Sequence, residues 1–152
     1  MQQILTIISF LICFSYTEAQ SVNAVYNESL AKELGADDYG MKSYFLVLLQ
    51  SGSSEGFTKD EVTAHFQSHM QNITKYAALK KIIVAGPIGK NEEGLQGIFI
   101  INAATEEEVK QILQEDGAVA SGILNALIFP WYGSAALPTY MDNHSKVQKK
   151  TF

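Results

Sequence analysis

The chain has 152 residues, 47% of them hydrophobic, a formal net charge of −5, and 11 basic residues that are all lysines. An acidic balance with no basic stripe excludes nucleic acid as a partner, and the absence of arginine removes the planar fork that clamps phosphates and carboxylates bidentately. The single cysteine, Cys13, excludes a disulfide framework, and a chain of this length suits one domain around one hydrophobic core.

In chain order, Ile4 through Phe14 is an apolar stretch without charge, followed by polar Ser15-Tyr16-Thr17-Glu18 and a small Ala19. That pattern predicts a secretory signal over residues 1–19, cut between Ala19 and Gln20, and it is too short to span a membrane. The expected protein is therefore exported, periplasmic or secreted, free of the membrane after cleavage and without a thiol. Residues 20–41 read as an N-terminal leader, with a short helix between Ala24 and Tyr39 in which Leu30 and Leu34 stand one turn apart and Gly35 is the stop.

The domain itself is expected over residues 42–133. Tyr44-Phe45-Leu46-Val47-Leu48-Leu49 is an apolar run too short for a buried helix and suited to a central strand. After the Ser51–Gly56 loop, Thr58 and Glu61 have the spacing of a capping box and open a helix to about Leu79. Its apolar stripe, Val62, Phe66, His69, Ile73 and Tyr76, places a histidine among core-facing residues. Ile82 to Ala85 is a second strand ended by Gly86-Pro87, and the polar loop Gly89–Gly94 leads into a third strand, Gln96 to Asn102. Thr105 and Glu108 repeat the capping pattern for a helix that buries Val109, Ile112 and Leu113 and closes at Asp116-Gly117. A fourth strand, Ile123 to Trp131, alternates Leu127, Phe129 and Trp131 with Ala126 and Ile128, as a strand packed on both faces does. Residues 134–152 read as a C-terminal tail. The order βαββαβ makes the fold class α+β with an antiparallel sheet.

Taken together, Tyr44-Phe45-Leu46-Val47-Leu48, His69-Met70-Gln71-Asn72-Ile73, Ala85-Gly86-Pro87, Asp116, Gly122 and Pro130-Trp131 resemble the YCII-related proteins over about residues 42 to 132. The resemblance implies a ferredoxin-like unit whose sheet pairs with a second copy into a dimeric α/β barrel, and hence a homodimer. It also implies a candidate site of two residues, His69 on the first long helix and Asp116 after the second. A carboxylate against an imidazole fixes its tautomer and suits it to moving a proton near neutral pH. The chemistry implied is that of a lyase or isomerase acting on a small, neutral cyclic molecule without a cofactor, as in dehydrochlorination of a chlorinated hydroquinone. This chain has Asp116-Gly117 where the family often has Asp-Pro, and it lacks the arginine frequent before the histidine.

Other residues are weighed against plainer roles. His65 and His69 stand four apart, a spacing used for zinc, but no third ligand accompanies them, and no metal is expected. His65 is read instead as a cleft-lining residue. Tyr44, Phe99 and Trp131 are candidates to line the same cleft, although aromatic residues on strands are more often core. Lys80, Lys81 and Lys90 could meet an anion and otherwise belong to solvated surface. Asn27, Asn72 and Asn143 each begin a glycosylation sequon, and no glycans are expected. The alternative to an enzyme is a module that binds a small molecule or only dimerises.

Overall fold

β-Branched and aromatic residues alternating at period two build four strands, and two capped amphipathic segments build the helices that cross behind them. The computed structural model describes residues 23–150. The signal expected over residues 1–19 lies outside the described residues. In chain order the elements are α1 (Glu28–Leu34), β1 (Met41–Ser51), α2 (Lys59–Ala78), β2 (Ile82–Pro87), β3 (Leu95–Ile101), α3 (Glu106–Gln114), α4 (Gly117–Ala120), β4 (Leu124–Ser134), a 3₁₀ turn (Leu137–Tyr140) and α5 (Met141–Val147).

The strands form one sheet in the order β2-β3-β1-β4, with antiparallel neighbours throughout. This is the ferredoxin-like arrangement: each βαβ crossover skips one strand, and the long strands β1 and β4 lie side by side. Side chains alternate across a sheet, so the register sorts every strand residue to a face. Val47 pairs with Phe99 and Ile128, and Phe45 with Ile101. Val47, Phe99 and Ile101 belong to the core cluster with Val109, Ile112 and Leu113 of α3, against which Phe45, Ile128 and, from α2, Ile73 and Tyr76 pack. Both helices therefore cover this face. The opposite face carries Leu46, Leu48, Ile98, Ile100, Leu127, Phe129 and Trp131, and Phe129 is 45% exposed.

The caps follow the sequence. Thr58 accepts from the Glu61 amide while the Glu61 carboxylate accepts from the Thr58 amide, closing the capping box of α2. At α3, Thr105 accepts from the Glu108 amide, but the Glu108 carboxylate reaches one residue further back, to the Ala104 amide, and also meets Lys81. α1 is shorter than the span from Ala24 to Tyr39. Asn27 caps its start and Gly35, in the left-handed region at φ 70°, ends it.

Three expectations need correction. Phe66 is 40% exposed, because the inner edge of α2 runs through Asn72, which is only 5% exposed, and tilts Phe66 outward. Asp116-Gly117 does not simply close α3: Asp116 caps a further short helix, α4. Residues 137–147, expected as a tail, form helical turns, and the Tyr140 hydroxyl donates to the Ile83 carbonyl on β2. No helix among the described residues is long and apolar enough to cross a membrane.

Candidate functional site

α2 brings His65, His69 and Asn72 to its inner edge by steps of four and three, the spacing at which helical residues share a face. α4 meets that edge closely. A Cβ on Gly117 would lie 2.6 Å from Ser68 Cβ and 3.1 Å from the His65 carbonyl oxygen, so only glycine permits this approach. The Asp-Gly step is thus what seats Asp116 against α2.

Asp116 is fully buried. Its Oδ1 accepts from the amides of Ala118 at 3.0 Å and Val119 at 3.3 Å, and its Oδ2 lies 2.6 Å from His69 Nδ1. A carboxylate that already accepts two amides acts as acceptor here too, so Nδ1 carries the proton that faces it and, in the neutral ring, Nε2 keeps the lone pair. The His69 side chain is 12% exposed. Phe99 stacks on its ring with centroids 5.8 Å apart at 27°, and Phe66 meets it edge-on at 6.0 Å. Ring plane, tautomer and position of His69 are therefore held from three sides.

His65 packs edge-on against Phe57, with centroids 5.3 Å apart. Among the described residues, no three His, Cys, Asp or Glu side chains gather as a metal site. Tyr44 and Trp131 do not join this group. They pair directly across β1 and β4, with ring centroids 5.7 Å apart, on the face of the sheet away from the helices. Tyr44 lies three residues from Val47, an odd step that puts it on the other side. Its hydroxyl donates to the Ser134 carbonyl, and burial pushes its pKa above the ordinary value. The Trp131 ring lies over Gly133, where a Cβ would come within 2.2 Å of it. Of the four cleft-lining candidates, Phe99 touches His69, His65 stands one turn before it, and Tyr44 and Trp131 form a separate cluster.

Of the lysines considered for an anion, Lys81 pairs with Glu108 at 2.5 Å and Lys80 stands 4.0 Å from Asp142. A cavity of about 430 Å³ lies between the outer edge of β4 and helices α3 and α4. Leu113, Val119 and Ile128 form its floor, and Ser53, Lys110 and Gln114 stand around it. Neither His69 nor Asp116 lines it; α4 separates them from it, since Val119 borders the cavity and its amide binds Asp116.

Asn72 belongs to the YCII-like motif around His69 but was not among the candidate site residues. Its Nδ2 donates to the Ile112 carbonyl at 3.1 Å, and its Oδ1 is buried with no partner among the described residues. The step of three from His69 was the available signal.

The sequence model of the YCII-related domain matches residues 44–132, which include His69, Asp116 and all four strands in whole or in large part. The chain belongs to the YCII-related family. No curated protein matches it. Among solved structures it is similar to the 5-chloro-2-hydroxyhydroquinone dehydrochlorinase of Burkholderia phenoliruptrix, in complex with 2,5-dihydroxybenzoquinone. That likeness has 18% identity and a TM-score of 0.40, and covers 58% of this chain and 92% of the other.

Proposed function

We propose that this YCII-related protein is an exported, cofactor-free enzyme of the lyase or isomerase type, which moves a proton on a small cyclic substrate through a His69–Asp116 dyad. The observation that carries the reading is the 2.6 Å contact of His69 Nδ1 with a fully buried Asp116 carboxylate. The contact leaves Nε2 as the free base. In this mechanism Nε2 takes a proton from the substrate, Asp116 balances the charge of the imidazolium, and Nε2 returns the proton to another atom of the substrate or to its leaving group. The two amides on Asp116 Oδ1 keep the carboxylate from turning toward the ring's other positions. Phe66, 40% exposed and edge-on to the His69 ring, provides an apolar wall on which a substrate ring can lie.

The test is chloride release from chlorinated hydroquinones and double-bond migration in unsaturated lactones, with solvent deuterium uptake followed by NMR. His69→Gln is expected to lower turnover by about 10²–10⁴-fold. Full turnover in that variant would remove the dyad from the mechanism.

The second reading is a module that binds a small molecule or only dimerises, and the cavity apart from His69 favours it. Saturable binding of these compounds without turnover by the wild-type protein would select it. Under either reading the protein is expected to be a homodimer built through the apolar face that no helix among the described residues covers, and sedimentation velocity checks this. Export rests on the secretory signal read over residues 1–19; intact mass of the secreted protein should give an N-terminus at Gln20.

A further inference from the structure

We infer that Asn72 is a positioning residue that sets Asp116 against His69, a role that rests on the proton-transfer reading of that pair. Asn72 is 5% exposed and lies on the inner edge of α2, one turn beyond His69. Its Nδ2 donates to the carbonyl of Ile112 at 3.1 Å. In a continuing helix that carbonyl would accept from the Asp116 amide, four residues on. Here the Asp116 amide turns to the Leu113 carbonyl instead, at 3.1 Å. The Ile112 carbonyl is thereby released where the chain leaves α3, as the last carbonyls of any helix are. Asn72 takes it from the neighbouring helix.

The corner between α3 and α4 is consequently held by α2 at two hydrogen-bonded points one turn apart: Ile112 by Asn72, and Asp116 by His69. One bond alone would let the corner pivot about it; two fix its rotation. The other half of the Asn72 amide argues the same way. Oδ1 is buried and accepts from no group among the described residues, a cost that a leucine of similar size would not carry. What the asparagine contributes in return is the single bond to Ile112, at the point from which the chain leads into Asp116.

The experiment reads the tautomer of His69 by long-range ¹⁵N–¹H NMR of its ring in the full exported chain, for wild type, Asp116→Asn and Asn72→Leu. Wild type should show the Nδ1–H form, and Asp116→Asn should shift it toward Nε2–H. Asn72→Leu should lower the ratio of Nδ1–H to Nε2–H by roughly threefold to tenfold, the worth of one hydrogen bond. Its melting temperature should change little, because relieving the buried Oδ1 offsets freeing the Ile112 carbonyl. Asn72→Gln, which keeps a donor, should restore much of the wild-type ratio. If Asn72→Leu does not fold, Asn72→Ser, too short to reach Ile112, carries the same expectation. An unchanged tautomer in the Asn72 variants, with Asp116→Asn shifted, would overturn the positioning role and leave the dyad standing. An unchanged tautomer in Asp116→Asn would overturn the dyad, and the role of Asn72 with it.

Discussion

The two faces of the sheet are equally apolar and differ in what covers them. On one, the row Ala85–Phe99–Val47–Ile128 lies under α2 and α3, and Val47 and Phe99 are almost fully buried. On the other, the rows Val84–Ile100–Leu46–Phe129 and Ile98–Leu48–Leu127 have no helix above them among the described residues. The polar chemistry, His69 and Asp116, is placed entirely on the covered side. The contrast separates two roles: the covered face completes the fold and holds the His69–Asp116 pair, while the other leaves apolar side chains such as Phe129 in contact with solvent, the surface through which the proposed homodimer would form. Substitutions on the two sides should therefore fail in different ways.

Phe99→Ala should have the largest effect. The ring fills the centre of the covered face and stacks on His69, so its removal leaves a cavity and should cost about 3–5 kcal/mol in urea unfolding. A loss below about 1 kcal/mol would mean that the helices repack freely, against the close packing expected of a native core. Gly117→Ala should follow, at about 1–3 kcal/mol, because its new Cβ must push α4 away from Ser68 and the His65 carbonyl. The same displacement should carry Asp116 from His69 and show in the ring ¹⁵N shifts. Loss of stability without that shift would mean that α4 yields elsewhere and that the Asp-Gly step does not seat the carboxylate.

Much of the covered face was legible in the sequence, and the reasons are specific. Thr58 and Thr105 marked both long helices, because a hydroxyl at that spacing from a glutamate satisfies amides that nothing else can reach. The four strands were legible from alternation and apolar runs. Which face a strand residue joins was not: Tyr44 and Phe99 are both aromatic strand residues, and only the pairing register separates them. Phe66 fitted the apolar stripe of α2 by spacing, yet the helix is rolled so that Asn72 faces inward, a choice made by the Ile112 carbonyl forty residues away. α4 has four residues, too few for any periodicity to appear. The turns after Ser134 were hidden by their polarity and by Pro138, which sits at the start of the 3₁₀ turn.

On the open side, Phe129→Lys should leave the unfolding free energy of an isolated chain within about 0.5 kcal/mol of wild type, since surface changes rarely do more. Its consequence should appear in association instead: a wild-type dimer is expected to become monomeric in sedimentation velocity, with the His69 ring shifts unchanged. If Phe129→Lys lowers monomer stability as far as Phe99→Ala does, the two faces are not distinct in the way drawn here.

The smallest effect belongs to the Lys81–Glu108 pair at the edge of the covered face. The hydrogen bond from Lys81, and after it the Ala104 amide, holds the Glu108 carboxyl below its ordinary range. A carboxyl whose pKa is lower folded than unfolded stabilises the fold above its unfolded value and loses that contribution as pH falls through the folded one. Both side chains keep partial contact with water, at 39% and 29% exposure, so the pair should be worth only about 0.2–1 kcal/mol. Glu108→Gln should accordingly melt below wild type at pH 7, and the gap should close on acidification below about pH 4, the ordinary range of a glutamate. A gap that persists at low pH would assign the contribution of Glu108 to its hydrogen bond with the Ala104 amide, which glutamine can keep only in part, rather than to its charge.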